Sequence, residues 1–206
     1  MIYFITNFFE TLSRIVQKGL IVAIALFFLH GCASIPAPEG ELLMAQAPEG
    51  WLRIYVLNNE RTRITELVPA GETAQTWRTK FSLESYLGEM DANPETLLLQ
   101  QAYQDETQCS FVQKRLISSN KENGYATAVH LVLCGEVIGT GRGQVKLLKA
   151  IQGNEHFYVI QLIRNLPVFE PGQAQFEKPE MAAWSQILSR IFVCDSRLPE
   201  HSCDPS

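Results

Sequence analysis

The chain has 206 residues, 46% of them hydrophobic, and its 17 Lys and Arg against 22 Asp and Glu leave a formal net charge of −5. Nucleic acid and polyanionic lipid need a basic footprint, so this balance excludes them as main partners. The length suits one domain with a core of its own.

Residues 20–29 are an unbroken apolar run, preceded by Arg14 and Lys18 and closed by Leu29-His30-Gly31-Cys32. About ten apolar residues is the length of a secretory core segment, whereas a helix across a bilayer needs roughly 20. The run with its Leu-x-Gly-Cys ending resembles the signal peptide and lipobox of a bacterial lipoprotein. The resemblance implies cleavage between Gly31 and Cys32 and lipidation of Cys32, which becomes the mature N-terminus. His30 departs from the small or β-branched residue usual at its position. Ala33 stands where an inner-membrane retention signal would place aspartate, so the resemblance implies an outer-membrane anchor, and the domain is expected to face the periplasm. A signal peptide with an incidental cysteine is the competing interpretation. The resulting division is a leader over 1–31, a flexible tether over 32–50, rich in Pro, Ala and Gly, and a single globular domain over 51–206.

The domain opens with a strand over 51–57, turns at Asn58-Asn59-Glu60 and returns over 62–68, stopped by Pro69-Ala70-Gly71. Trp77, Thr79, Phe81 and Leu83 alternate with Arg78, Lys80, Ser82 and Glu84, the period of a half-buried strand. A helix starts at Asn93-Pro94-Glu95, with Asn as cap, Pro in the first turn and an acid facing the dipole, and runs to about Glu106. A hairpin over 109–118 and 125–134 follows, turning within Asn120-Lys121-Glu122-Asn123-Gly124. Strands over 144–151 and 156–164 come next. The second is apolar on both faces and reads as central. Met181, Trp184, Ile187, Leu188 and Ile191 recur at helical spacing. These elements predict an α+β fold, an antiparallel sheet of five to seven strands with two helices packed on it. Their order, with the stretch from Pro69-Ala70-Gly71-Glu72-Thr73 to Trp77, is similar to small periplasmic lipoproteins of PsbP/Mog1-like architecture.

Beyond Cys32 the cysteines are Cys109, Cys134, Cys194 and Cys203, an even number, which in an exported chain reads as disulfides. Four cysteines allow three pairings. A hairpin turn centred between Lys121 and Glu122 would set Cys109 opposite Cys134 and His130 opposite Gln113, which favours Cys109–Cys134 and leaves Cys194–Cys203. The spacings are not those of zinc motifs, and His130, His156 and His201 do not cluster with the cysteines, so no metal is expected.

Reactive constellations are scarce. Gly139-Thr140-Gly141-Arg142-Gly143 leads into a strand rather than a helix, so it reads as a connection between strands, with an anion contact through Arg142 as the alternative. No Gly-x-Ser-x-Gly occurs. His130 reads as a sheet histidine, His156 has no nameable partner, and Glu89, Asp91 and Glu136 are isolated acids. Trp51, Trp77 and Trp184 read as core. The expectation is a membrane-anchored envelope lipoprotein, without catalytic residues or cofactors, that binds an envelope protein partner or supports an assembly. A module for a small ligand, lipid or glycan is the first alternative, and an envelope hydrolase using His130 or His156 the second.

Overall fold

The structure, a computed structural model, describes residues 39–88 and 93–204, with the backbone alone over 101–106. The leader, Gly31, Cys32, Glu89 and Asp91 lie outside the described residues. Seven strands form one antiparallel sheet in the order β2-β3-β4-β8-β7-β6-β5. They are β2 (Trp51–Asn58), β3 (Thr62–Pro69), β4 (Thr79–Leu87), β5 (Val112–Glu122), β6 (Tyr125–Val137), β7 (Arg142–Gln152) and β8 (His156–Leu166). A separate antiparallel pair joins β1 (Glu41–Met44) to β9 (Phe192–Asp195). Helix α1 (Pro94–Glu106) lies between β4 and β5 in the chain, and α2 (Lys178–Ser189) between β8 and β9. The fold is α+β. Among the described residues no helix is long and apolar enough to cross a membrane.

Strand alternation sorts the core into two faces. Leu148 and Ala150 of β7, with Ala128 and Val132 of β6 and Phe157 and Val159 of β8, pack with Leu97 and Leu98 of α1. The alternate residues, among them Leu147, Ile151, Tyr158 and Ile160, pack with Trp184 and Leu188 of α2 and with Val193 of β9. The central strands β7 and β8 are therefore apolar on both faces, as expected of strands covered on both sides. Asn93 caps α1: its side-chain oxygen accepts from the Glu95 amide at 2.8 Å. Arg164 of β8 pairs with Glu180 in the first turn of α2. Trp184 is buried, while Trp51 and Trp77 are half-buried. Trp51 meets Phe81 edge-on.

Two expectations need correction. The folded body begins before Trp51, because Glu41–Met44 is a strand paired to β9 from Glu41↔Asp195 to Met44↔Phe192. Leu42 and Leu43 in it are half-buried, covering apolar surface that a free tether would leave in water. The hairpin register also differs. Asn123 (φ 48°) and Gly124 (φ 85°) both take positive φ, so the Asn-Gly pair closes the hairpin in two residues and Glu122 faces Tyr125. With a bulge between Leu116 and Ser118, His130 faces Leu116 rather than Gln113, and Cys134 faces Val112 rather than Cys109. Cys109 lies just before β5, bridged to Val137, and joins Cys134 by a disulfide with Cα atoms 5.5 Å apart. A second disulfide joins Cys194 to Cys203.

Candidate functional site

The densest polar construction lies where β1 meets the β7–β8 turn, on the α2 face of the sheet. The turn residues Gly153, Asn154 and Glu155 lead into His156, and the amides of Asn154, Glu155 and His156 point at one carboxylate, that of Glu41. Glu41 accepts from the amide of Asn154, from that of Glu155 at 3.2 Å and from that of His156 at 3.0 Å. The Tyr158 hydroxyl donates to it at 3.1 Å. The seat is shaped by Gly153, since a Cβ there would lie 2.3 Å from a Glu41 carboxylate oxygen. Burial, with the Glu41 charge beside it, raises the Tyr158 hydroxyl above its usual pKa. Four donors compensate one buried carboxylate, the condition under which a buried charge is tolerated.

His156 stands beside this seat. Its Nδ1 is 3.7 Å from a Glu41 oxygen, beyond hydrogen-bond length, and that nitrogen is buried without a partner. Leu43, Arg63, Thr65, His156 and Tyr158 line a cleft of about 280 Å³ against Glu41. A clamp closes the neighbouring side. Asp195 accepts from Arg197 Nε at 2.9 Å and Nη2 at 2.6 Å, and the same Nη2 donates to Glu155 at 2.5 Å. These bonds from Arg197 hold the Asp195 carboxyl well below the usual carboxylate range. The clamp ties the end of β9 to the β7–β8 turn.

Elsewhere the sheet buries further polar groups. On the α2 face, Lys149 of β7 donates to Glu122 at 2.5 Å and to the backbone carbonyls of Leu188 and Ile191 at 2.9 and 2.7 Å. Three acceptors match the three N–H bonds of an ammonium. Burial lowers its pKa from the lysine value, and Glu122 opposes that shift. On the α1 face, Glu84 accepts from Ser82 at 3.0 Å, Gln161 at 2.6 Å and Tyr86 at 2.6 Å. His130, also on that face, is 2% exposed, and neither ring nitrogen has a hydrogen-bond partner among the described residues. Desolvation pulls its pKa below the usual histidine value.

The sequence candidates are therefore dispersed. His156 is the one set among other polar groups, and its neighbour Glu41 falls in the stretch expected to be tether. His130 is on the opposite face from Lys149, Glu136 is half-buried with its carbonyl accepting from Ser110 at 2.9 Å, and Arg142 is exposed at the start of β7. The Gly139–Gly143 stretch covers most of the β6–β7 connection and the first two residues of β7, with Gly139 and Gly141 at positive φ. Among the described residues no three His, Cys, Asp or Glu side chains converge as metal ligands. Glu41, Lys149 and Glu84 were not singled out by sequence. The one visible signal was a lysine set inside the apolar run Leu147-Leu148-Lys149-Ala150-Ile151.

No protein-family model and no curated protein matches the chain. In backbone structure it is similar to the cyanobacterial PsbP (CyanoP) from Synechocystis sp. PCC 6803, with 13% identity over 80% of this chain and 98% of that one and a TM-score of 0.45. It is also similar to LpqN, involved in cell envelope biogenesis of Mycobacterium tuberculosis, with 12% identity over 77% of this chain and 86% of that one and a TM-score of 0.43.

Proposed function

We propose that the protein is a lipoprotein of a bacterial envelope, acylated on Cys32 and held at the outer membrane, whose domain docks a protein partner on the periplasmic side without catalysis. The sequence Leu29-His30-Gly31-Cys32 supports the anchor. The observation that carries the docking role is the outer edge of β2. This strand ends the sheet and pairs on one side only, with β3. Leu52, Tyr55 and Val56 on it are 54%, 47% and 52% exposed. An apolar edge strand with open backbone groups invites another strand, and proteins guard such edges unless they use them. The opposite edge, β5, carries Lys114, Arg115 and Lys121 along it. The partner that suits β2 is an extended apolar segment of another envelope protein.

A non-enzymatic role is supported by the geometry beside His156: the acid nearest it is already engaged by three amides and a hydroxyl, and the histidine does not hydrogen-bond to it. The cleft of about 280 Å³ supports a second reading, binding of a small ligand between Arg63, His156 and Tyr158. Photo-crosslinking in intact envelopes separates the two. A probe at Leu52 or Val56 should give one discrete adduct, absent with the probe at Ser119 on β5. Equal or no adducts from both edges would reject the docking role. Cys32→Ser should move the protein from the membrane to the soluble fraction, and unchanged sedimentation would reject the anchor.

A further inference from the structure

We infer, on the footing that Cys32 is acylated as proposed above, that the domain stands with the β7–β8 and β2–β3 turns toward the bilayer and the β6–β7 turn away from it. Seven residue steps separate Cys32 from Glu39, the first described residue. A chain advances at most ~3.6 Å per residue, so whatever path it takes the leash spans no more than about 25 Å.

The end of the leash is fixed firmly. The Gly40 amide donates to the Ser196 hydroxyl at 2.9 Å, and the Ser196 amide donates back to the Gly40 carbonyl at 3.1 Å. β1 then pairs with β9, Glu41 enters the amide seat of the β7–β8 turn, and the Cys194–Cys203 disulfide braces β9. The chain therefore leaves the domain beside Glu155 and Arg197, at the end of the sheet where β4 closes and the Gly88 amide donates to the Glu155 carbonyl at 3.0 Å.

The sheet is taller than the leash is long. β7 and β8 have eleven residues each, which at ~3.3 Å per residue is about 36 Å. An upright domain cannot bring Ile138, at the far end, to the membrane surface while Glu39 stays within about 25 Å of it. Were the chain free as far as Trp51, the leash would reach about 68 Å and either end could face the lipid. The near end carries Glu60 and Arg61 in the β2–β3 turn, Glu155 and Arg197 in the clamp, and an exposed Leu87.

The test uses the full acylated protein, purified from membranes and reconstituted in phosphatidylethanolamine-rich vesicles. A fluorescent amino acid replaces either Glu60 or Ile138, and headgroup spin-labelled lipid quenches it. We expect at least threefold stronger quenching at position 60 than at 138. Equal quenching, or the reverse order, in protein that floats with the vesicles overturns the orientation and leaves the anchor standing. Protein that does not float overturns the anchor and the orientation with it. Twelve Gly/Ser residues inserted after Pro38 should bring the ratio close to one without touching the Glu41 seat, and a ratio unchanged by the insertion would show that leash length does not orient the domain. Glu41→Ala should shift the ratio in the same direction.

Discussion

Lys149 on β7 and His130 on β6 occupy adjacent strands and opposite faces of one sheet, and each is almost wholly buried. The faces are built alike in outline: each has one helix, one buried base and one disulfide following the helix in the chain. They differ in how the base is treated. Lys149 has an acceptor for each N–H, two of them carbonyls at the close of α2. His130 has none. An ammonium that keeps its charge has to be compensated to be buried, whereas an imidazole sheds its proton more readily and remains, at the cost of lost water contacts. The α2 face is thus locked by polar bonds as well as packing, and the α1 face holds by packing and a covalent bridge.

The largest expected effect is on the locked side. Lys149→Ala leaves the Leu188 and Ile191 carbonyls and Glu122 without their donor and should cost about 3–5 kcal/mol in urea unfolding. A loss under about 1 kcal/mol would break the contrast. Next, replacing both Cys109 and Cys134 by serine should cost about 3 kcal/mol, because the bridge holds the segment after α1 to β6; equal urea midpoints for the variant and the parent would refute it. Third, His130→Leu should stabilise by about 1 kcal/mol, since an orphaned polar ring gives way to an apolar side chain. If both His130 and Lys149 variants lose stability to the same extent, the two bases are not handled differently.

The smallest effect depends on pH. Burial is the main cause of the lowered His130 pKa, with Glu95 of α1 opposing it and Lys114 of β5 reinforcing it. The unfolded chain therefore takes up this proton first as pH falls through the ordinary histidine value of 6.5. Stability from this group is full above that value and declines below it. Urea midpoints at pH 7.5 and 5.5 should differ more for the parent than for His130→Leu, and identical differences would remove His130 as the source.

Much of this was legible in the residues themselves. Asn93-Pro94-Glu95 marked a helix start, the alternation through Phe81 and Leu83 marked β4, and the apolar run through Tyr158 and Ile160 marked a central strand. What escaped depended on partners far along the chain. Glu41-Leu42-Leu43-Met44 lies among prolines and glycines, and its strand partner is some 150 residues away. The role of Lys149 is hard to read from sequence because two of its acceptors are backbone carbonyls on α2 and beyond, and carbonyls leave no trace in composition. The hairpin register slipped because a five-residue polar stretch was averaged into one turn, although Asn123-Gly124 alone supplies the two positive φ angles that close it. His130 was placed in the sheet, but its isolation beneath α1 is a property of the assembled face.

The ammonium of Lys149 sits at a junction of three pieces: the middle of β7, the end of β5 and the backbone where α2 gives way to β9. To peel α2 from the sheet would break two of that cation's three hydrogen bonds and uncover the apolar face beneath. The second helix should therefore have no private opening route, and its amide protons should exchange at the rate of the central strands, while those of the first helix exchange sooner.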